Sequence, residues 1–206
     1  KEGFQGPIFC TPATLGISRI SLPDSARLAE EEARRHNRHR TSRHDPALPL
    51  YTEEDAYKAL RQFKTVKFHE FFDIPGGAKV RFLPAGHILG SAFAEIFFQN
   101  GERLLMGGDL GRYDVPVMVD PAPVDFAEYL VIESTYGDRL HSDENPVVVL
   151  ETLLNEAYRE GRAILVPSFS IGRTQELLYY VSLLQHEGRI PRVPVFLDSP
   201  MAVKAT

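Results

Sequence analysis

Short apolar runs in this chain repeatedly stop at a single polar or acidic residue. Leu104-Leu105-Met106 passes through Gly107-Gly108 to Asp109, and Tyr129-Leu130-Val131-Ile132 meets Glu133. Ala163-Ile164-Leu165-Val166-Pro167 ends at Ser168, and Val193-Pro194-Val195-Phe196-Leu197 ends at Asp198. A fifth run, Val80 to Leu83, opens into Pro84-Ala85-Gly86-His87. Short β-rich runs bounded by turn residues read as buried strands. In layered α/β proteins, ligands collect beyond the carboxyl ends of such strands. The pattern predicts an α/β fold in which one sheet edge gathers the polar groups.

A chain of 206 residues, 43% apolar and 25% charged, suits one large domain or one domain plus part of another. Net charge is −5, so no global basic field draws the chain to nucleic acid or anionic membrane. A phosphate-bearing partner would have to be held locally, by a metal or an arginine cluster. The single cysteine, Cys10, excludes an internal disulfide framework and fits a reducing, cytoplasmic compartment. No apolar stretch approaches the roughly 20 residues of a membrane span, so no membrane partner is expected. The start, Lys1-Glu2-Gly3, carries no signal-peptide pattern and no initiator methionine, which allows an excised piece.

Along the chain, Gly6-Pro7-Ile8-Phe9-Cys10 reads as a short strand, and Asp24 as the cap of a helix through Ala26, Ala29 and Ala33. Glu30 and Glu31 stand four residues before Arg34 and Arg35, the favourable order for helical ion pairs. Residues 41–50 read as a loop. Thr52 with Asp55 imitates a capping box, and Ala56, Ala59, Leu60 and Phe63 form the stripe of a second helix. Residues 64–135, broken at Gly76-Gly77 and Asn100-Gly101, predict a hairpin-rich sheet. Asn145-Pro146 then starts a helix with Val149, Leu150, Leu153, Leu154 and Ala157 inward and Gly161 as its stop. A strand at 163–167, a helix over about 173–187 and a strand at 193–197 predict a βαβ unit with a parallel sheet. The change of character at about 137–145 is the expected domain boundary.

Several residues could carry chemistry. His87 lies between Gly86 and Gly90, which let the backbone turn tightly around it. Read alone, it is more simply a loop histidine bonded to a carbonyl. Asp109 follows two glycines, so its carboxylate could approach a metal closely, or bridge two; for a lone Gly-Asp, an Asx-turn is the better reading. Glu133-Ser134-Thr135 offers a carboxylate and two hydroxyls at a strand end, or a cap. Ser168-Phe169-Ser170-Ile171-Gly172-Arg173 joins a strand to a helix, where free N–H groups and a guanidinium suit phosphate. A solvated arginine in a first helical turn explains the same pattern about equally well. His36 and His39, crowded by Arg34, Arg35, Arg38 and Arg40, read as a solvated basic face, and His44, His69, His141 and His186 as surface residues.

Five segments in order give a more specific reading. They are residues 85–92 (Ala85-Gly86-His87-Ile88-Leu89-Gly90-Ser91-Ala92), Gly108-Asp109-Leu110-Gly111-Arg112 and Glu133-Ser134-Thr135-Tyr136-Gly137. Residues 167–176, from Pro167 to Glu176, and Asp198-Ser199-Pro200-Met201-Ala202 complete the set. Together they resemble the metallo-β-lactamase superfamily, in its β-CASP nuclease branch. The resemblance implies part of an αββα sandwich of two mixed sheets over residues 1–140. The start of a β-CASP parallel α/β domain would follow over 141–206. It implies two zinc ions in the intact protein, His87 binding one and Asp109 bridging both. Asp109, Glu133 and His87 would be the catalytic residues, Glu133 orienting a histidine rather than binding metal. Ser168, Ser170 and Arg173, with Ser134 and Thr135, would bind substrate along the cleft between domains. The implied activity is hydrolysis of RNA, with hydroxide supplied by a zinc-activated water whose pKa lies near 7.

The departures from that family carry their own expectations. Its main metal motif, His-x-His-x-Asp-His, is absent, and Lys1-Glu2-Gly3-Phe4 looks like the stretch just after it. Its later histidines are also absent before Thr206. A catalytic zinc normally takes three protein ligands and a water. The chain is therefore expected to be an internal piece that binds zinc weakly, if at all, and is inactive by itself. The superfamily scaffold also hosts hydrolases of other substrates and non-catalytic scaffold partners. The presence of both His87 and Asp109 favours the enzyme. Whether cleavage is endo- or exonucleolytic, which RNA is cut and whether the parent is a homodimer stay open.

Overall fold

The computed structural model describes residues 2–140, 142 and 144–206. Its element order is β1 (Ile8–Cys10), α1 (Pro12–His39), α2 (Glu53–Leu60), β2 (Phe63–Thr65), β3 (Phe71–Asp73), β4 (Lys79–Pro84), β5 (Ala92–Phe97), β6 (Arg103–Met106), β7 (Tyr129–Val131), α3 (Pro146–Arg159), α4 (Arg173–His186) and α5 (Pro200–Ala205). Strands β3 to β7 make one five-stranded sheet in sequence order, and β1 and β2 a separate two-stranded one. The first three pairings of the larger sheet are antiparallel and its last, β6 with β7, is parallel. The architecture is α/β with mixed sheets. No helix among the described residues is long and apolar enough to cross a membrane.

The hairpin pattern of residues 64–135 is realised as expected. Gly76 and Gly77 both take positive φ at the β3–β4 turn, and Gly101 does so at the β5–β6 turn. Leu83, Ala85, Phe93 and Leu105 form a buried core on one sheet face, covered by Ala122, Val124 and Ala127 from the segment leading to β7. On the same face, Glu95 is buried between Arg81 and Arg103. Phe72, on the opposite face, stacks on Phe9 of β1 at 4.6 Å and on Phe82 at 5.2 Å.

The first helix begins earlier than the cap pattern predicts. Asp24 lies inside α1, whose N-cap is Thr11 with Pro12 at the first helical position. Thr11 Oγ1 accepts from Thr14 N at 3.1 Å. Pro23 is tolerated in the helix and buried there. An interior proline costs about 3 kcal/mol, and packing of α1 on α2 and α5 offsets it. Glu30 sits 3.9 Å from Arg34 as expected, but Glu31 pairs with Arg27 at 2.8 Å rather than with Arg35. The Thr52–Asp55 capping box is present in both directions, at 3.2 and 3.1 Å. Asn145 caps α3 by accepting from Val147 N.

The C-terminal third departs from expectation. Residues 163–167 and 193–197 are not strands, and the parallel βαβ sheet is not formed among the described residues. The flanking helices do form, and Arg189 ties their ends together through Glu151 and the Asn155 side chain. A strand exists only where a second backbone completes its ladder, and neither segment finds one. Leu165 and Phe196 are accordingly exposed. On α3, Ala157 is buried and Leu150 and Leu154 are partly buried, whereas Val149 and Leu153 stay exposed. The expected surface position of His141 lies outside the described residues.

Candidate active site

Three loops meet beyond the ends of β4, β6 and β7. The first, residues 85–91, holds His87. Ser91 Oγ accepts from the His87 and Ile88 amides at 3.0 and 3.2 Å, closing a tight turn. Gly90 takes φ +86, and its carbonyl accepts from Thr11 Oγ1 at 2.8 Å and Thr14 Oγ1 at 2.9 Å. The N-terminus of α1 therefore pins the histidine loop. The second loop, Gly107 to Arg112, continues from β6: Gly107 N donates to Val131 O at 2.8 Å. Gly111 N donates to Ala85 O at 2.9 Å, and a Cβ on Gly111 would lie 2.1 Å from the Gly86 carbonyl carbon. Only glycine lets the two loops approach this closely.

That approach brings His87 and Asp109 together. His87 Nε2 lies 3.8 Å from Asp109 Oδ2, with both side chains substantially exposed. His87 Nδ1 is 3.2 Å from the Leu110 carbonyl. The simple reading of a loop histidine bonded to a carbonyl thus holds for one ring nitrogen only. That carbonyl can only accept, so the contact is a hydrogen bond when Nδ1 carries the proton, and in that tautomer Nε2 keeps its lone pair 3.8 Å from the carboxylate oxygen. Two electron-rich atoms in that relation call for a cation, or a proton on Nε2, between them.

The residues partly fit a zinc ion. Bonds of about 2.0–2.2 Å at a tetrahedral angle place donor atoms roughly 3.4 Å apart, close to the observed separation. The Nδ1–carbonyl bond is the kind of outer contact that orients a metal-ligating imidazole. The donor count falls short: among the described residues, no group of three or more His, Cys, Asp or Glu side chains could hold a metal. His87 and Asp109 are therefore two members of a possible ligand set, not a complete one.

Glu133, at the end of β7, is the third member of the site. Its Oε1 accepts from Leu110 N at 2.8 Å and its Oε2 from Thr135 Oγ1 at 2.5 Å. The parallel pairing of β6 with β7 brings Glu133 beside the Asp109 loop. The Thr135 hydroxyl, then the Leu110 amide, hold the Glu133 carboxyl below the usual glutamate range. A lowered folded-state pKa stabilises the fold above the unfolded glutamate range, and this contribution is lost as pH falls through the folded value. A ¹³C carboxyl titration should place the Glu133 midpoint below that of an ordinary glutamate. Thr135→Ala should move it upward; an ordinary midpoint in the unsubstituted protein would contradict the bonding described. Thr135 thus serves the carboxylate here. Ser134 lies beside it, where its carbonyl accepts from Gly137 N.

The predicted substrate loop is more internally engaged than its pattern implies. Ser168 Oγ bonds Thr174 Oγ1 at 2.9 Å, and Ser170 Oγ bonds Ser199 Oγ at 3.0 Å. Gly172 N donates to Gln175 Oε1 at 2.8 Å, and Thr174 N to Phe169 O. These amides are therefore not free for an anion. Arg173 is held by Glu176 at 2.6 Å, and Arg112, from the Asp109 loop, lies 3.6 Å from the same residue. Sequence reasoning missed Arg112 and Glu176. Arg112 stood in a quoted segment, but no spacing rule joins it to α4. The signal for Glu176 was only an acidic residue in a first helical turn. Among the other histidines, His36 lies 3.6 Å from Glu32 on α1, and His39 is exposed at the end of the same helix.

No family model matches the chain. It is 33% identical over 204 residues to Ribonuclease TTHA0252 of Thermus thermophilus, covering 98% of this chain and 42% of the relative. The chain is homologous to ribonucleases. It is 30% identical over 217 residues to Endoribonuclease YSH1 of Candida glabrata, covering 99% of this chain and 26% of the relative. It is 28% identical over 204 residues to Transcription termination factor FttA of Cenarchaeum symbiosum, covering 96% of this chain and 30% of that protein. The chain spans less than half the length of each of these relatives.

Proposed function

We propose that the chain belongs to a β-CASP metallo-β-lactamase nuclease, a metal-dependent hydrolase of RNA phosphodiester bonds. Residues 1–140 would form part of its sandwich and residues 141–206 part of its β-CASP domain. The observation that carries this reading is the approach of His87 to Asp109, 3.8 Å apart. It occurs in a chain that aligns over nearly its whole length with a ribonuclease. A single cysteine, buried as a free thiol, fits a cytoplasmic setting.

The residues divide the work as follows. His87 and Asp109 would hold zinc, which when bound supplies a nucleophile at neutral pH and offsets charge on the phosphate. The Leu110 carbonyl sets the tautomer and direction of His87. Glu133 fixes the amide of Leu110 and with it the path of the Asp109 loop. Its carboxylate, held by the Thr135 hydroxyl and the Leu110 amide, would act in protonating the leaving oxygen together with a histidine rather than alone. It suits the orientation of a protonated imidazole supplied from elsewhere in the whole protein. Ser168, Ser170 and Arg173 would line the path of the phosphate backbone.

The test is a cleavage screen of the whole protein against RNA, DNA and small esters, with chelation and zinc add-back. RNA should be cut, cleavage should vanish on chelation, and zinc should restore it. RNA bound but uncut in every metal would support a scaffold, and cleavage of esters alone a different hydrolase; either overturns the reading.

A further inference from the structure

Glu176, near the N-terminus of α4, is a buried carboxylate that the proposed mechanism does not use. Its side chain is 9% exposed, and it holds two guanidinium groups that are each about half exposed, Arg173 at 2.6 Å and Arg112 at 3.6 Å. Arg173 comes from its own helix, whereas Arg112 comes from the loop that carries Asp109. One carboxylate between two arginines leaves a net positive charge, and it lies on the solvent side because the carboxylate is buried and the arginines are not. Burial first, and then the nearby Glu176 charge, push the Tyr180 phenol up, so it stays neutral and adds no second negative charge.

The location is informative. The Ile88 side chain, next to His87, comes within 3.2 Å of where a Gly172 Cβ would lie. The start of α4 therefore abuts the histidine loop. Arg112 stands three residues beyond Asp109, past Gly111, which is packed against Gly86. Arg173 and Glu176 also line a cavity of about 330 Å³ between α3 and α4, with Leu150 and Tyr180 among its walls. Arg173 thus lines a space with an apolar wall, and Arg112 joins it from the loop that carries Asp109.

We infer that Arg112 and Arg173, held as a pair by Glu176, form a subsite for a phosphodiester group of single-stranded RNA adjoining the His87–Asp109 site. This deepens the nuclease reading and rests on it for the identity of the ligand. Arginine suits the task because its planar fork donates to two oxygens of one phosphate, while Arg173 stays hydrogen-bonded to Glu176 and Arg112 stays within ion-pair distance of it. Glu176 fixes that fork and removes part of the repulsion between the two cations. Because the chain as a whole is acidic, a local pair of this kind is how it would hold a polyanion.

The experiment measures binding of a fluorescein-labelled oligouridylate to the whole protein by anisotropy, in chelator, over a range of salt. Cleavage of the same RNA is measured separately with zinc. Each contact to a single strand contributes roughly 0.7 to the slope of log affinity against log salt. Arg112→Gln and Arg173→Gln should each weaken binding about fivefold to tenfold and reduce that slope by about 0.7. The double Arg→Lys variant should keep the slope while losing affinity, because charge remains and the fork does not. Arg27→Gln, on α1 and paired with Asp24 and Glu31, controls for loss of any positive charge and should bind like the unsubstituted protein. A folded Arg112→Gln/Arg173→Gln double variant with unchanged affinity and slope would overturn the subsite, whatever the cleavage result. Binding with the expected slopes but no cleavage in any metal would support the subsite and reject the nuclease reading.

Discussion

Asp109→Ala in the whole protein is expected to lower RNA cleavage about a thousandfold while leaving RNA binding in chelator close to unchanged. The carboxylate faces His87 Nε2 at 3.8 Å and is largely exposed, so its removal opens no cavity and strains no backbone. What it removes is one side of a cation site. A bound metal contributes several kcal/mol of transition-state stabilisation, and each ~1.4 kcal/mol is tenfold in rate. The loss should appear in kcat with metal content falling in parallel, and a retained melting temperature would exclude unfolding as the cause. His87→Ala should act in the same direction. Turnover by the Asp109 variant at the unsubstituted rate would end the account of a shared cation.

Glu95→Ala is expected to destabilise the fold by about 3 kcal/mol, at the lower end of the cost of breaking a buried ion pair from one side. Glu95 is 1% exposed in the middle of β5. It accepts from Arg81 Nε and Nη2 at 2.8 and 2.5 Å, and from Arg103 Nη1 at 3.3 Å. The register sets this up, because Arg81 stands directly across from Glu95 and Arg103 across from Phe97. Arg81 also stacks over Phe71 and Phe97, and Arg103 over Phe97, at 5.0 to 5.7 Å. Without the carboxylate, two cations face each other over aromatic rings with no counter-charge. Each arginine keeps 28% exposure and can partly rehydrate, which holds the cost to the lower end. Arg103→Ala, losing only the longer contact, should cost about 1 kcal/mol. Urea denaturation measures both, and a Glu95→Ala midpoint equal to that of the unsubstituted protein would mean that the triad contributes nothing.

Much of this arrangement is legible in one dimension because its causes are local. Alternating runs and turn glycines between residues 64 and 135 predict the hairpins, since strand period and positive φ are properties of adjacent residues. The caps at Thr52 and Asn145 are equally local. Asp24 fails as a cap because the competing start at Thr11-Pro12 is also good, and packing onto α2 and α5 carries the helix through Pro23. The runs at 163–167 and 193–197 show the opposite limit. Their composition is that of buried strands, but a ladder needs a second backbone at the right distance, which no pattern within the run supplies.

The candidate site divides in the same way. Chain order alone placed His87, Asp109 and Glu133 just past strand ends, because an apolar run broken by glycine and a polar residue marks where a strand leaves the core. Folding in three dimensions decided which of those ends meet. The glycine-to-glycine contact of Gly86 with Gly111 sets His87 against Asp109, and the parallel pairing of β6 with β7 brings Glu133 to the amide of Leu110. Nor could any spacing reveal that Arg112 and Arg173 share Glu176. Electrostatic partnership depends on distance through space, and distant segments acquire that distance only when they pack.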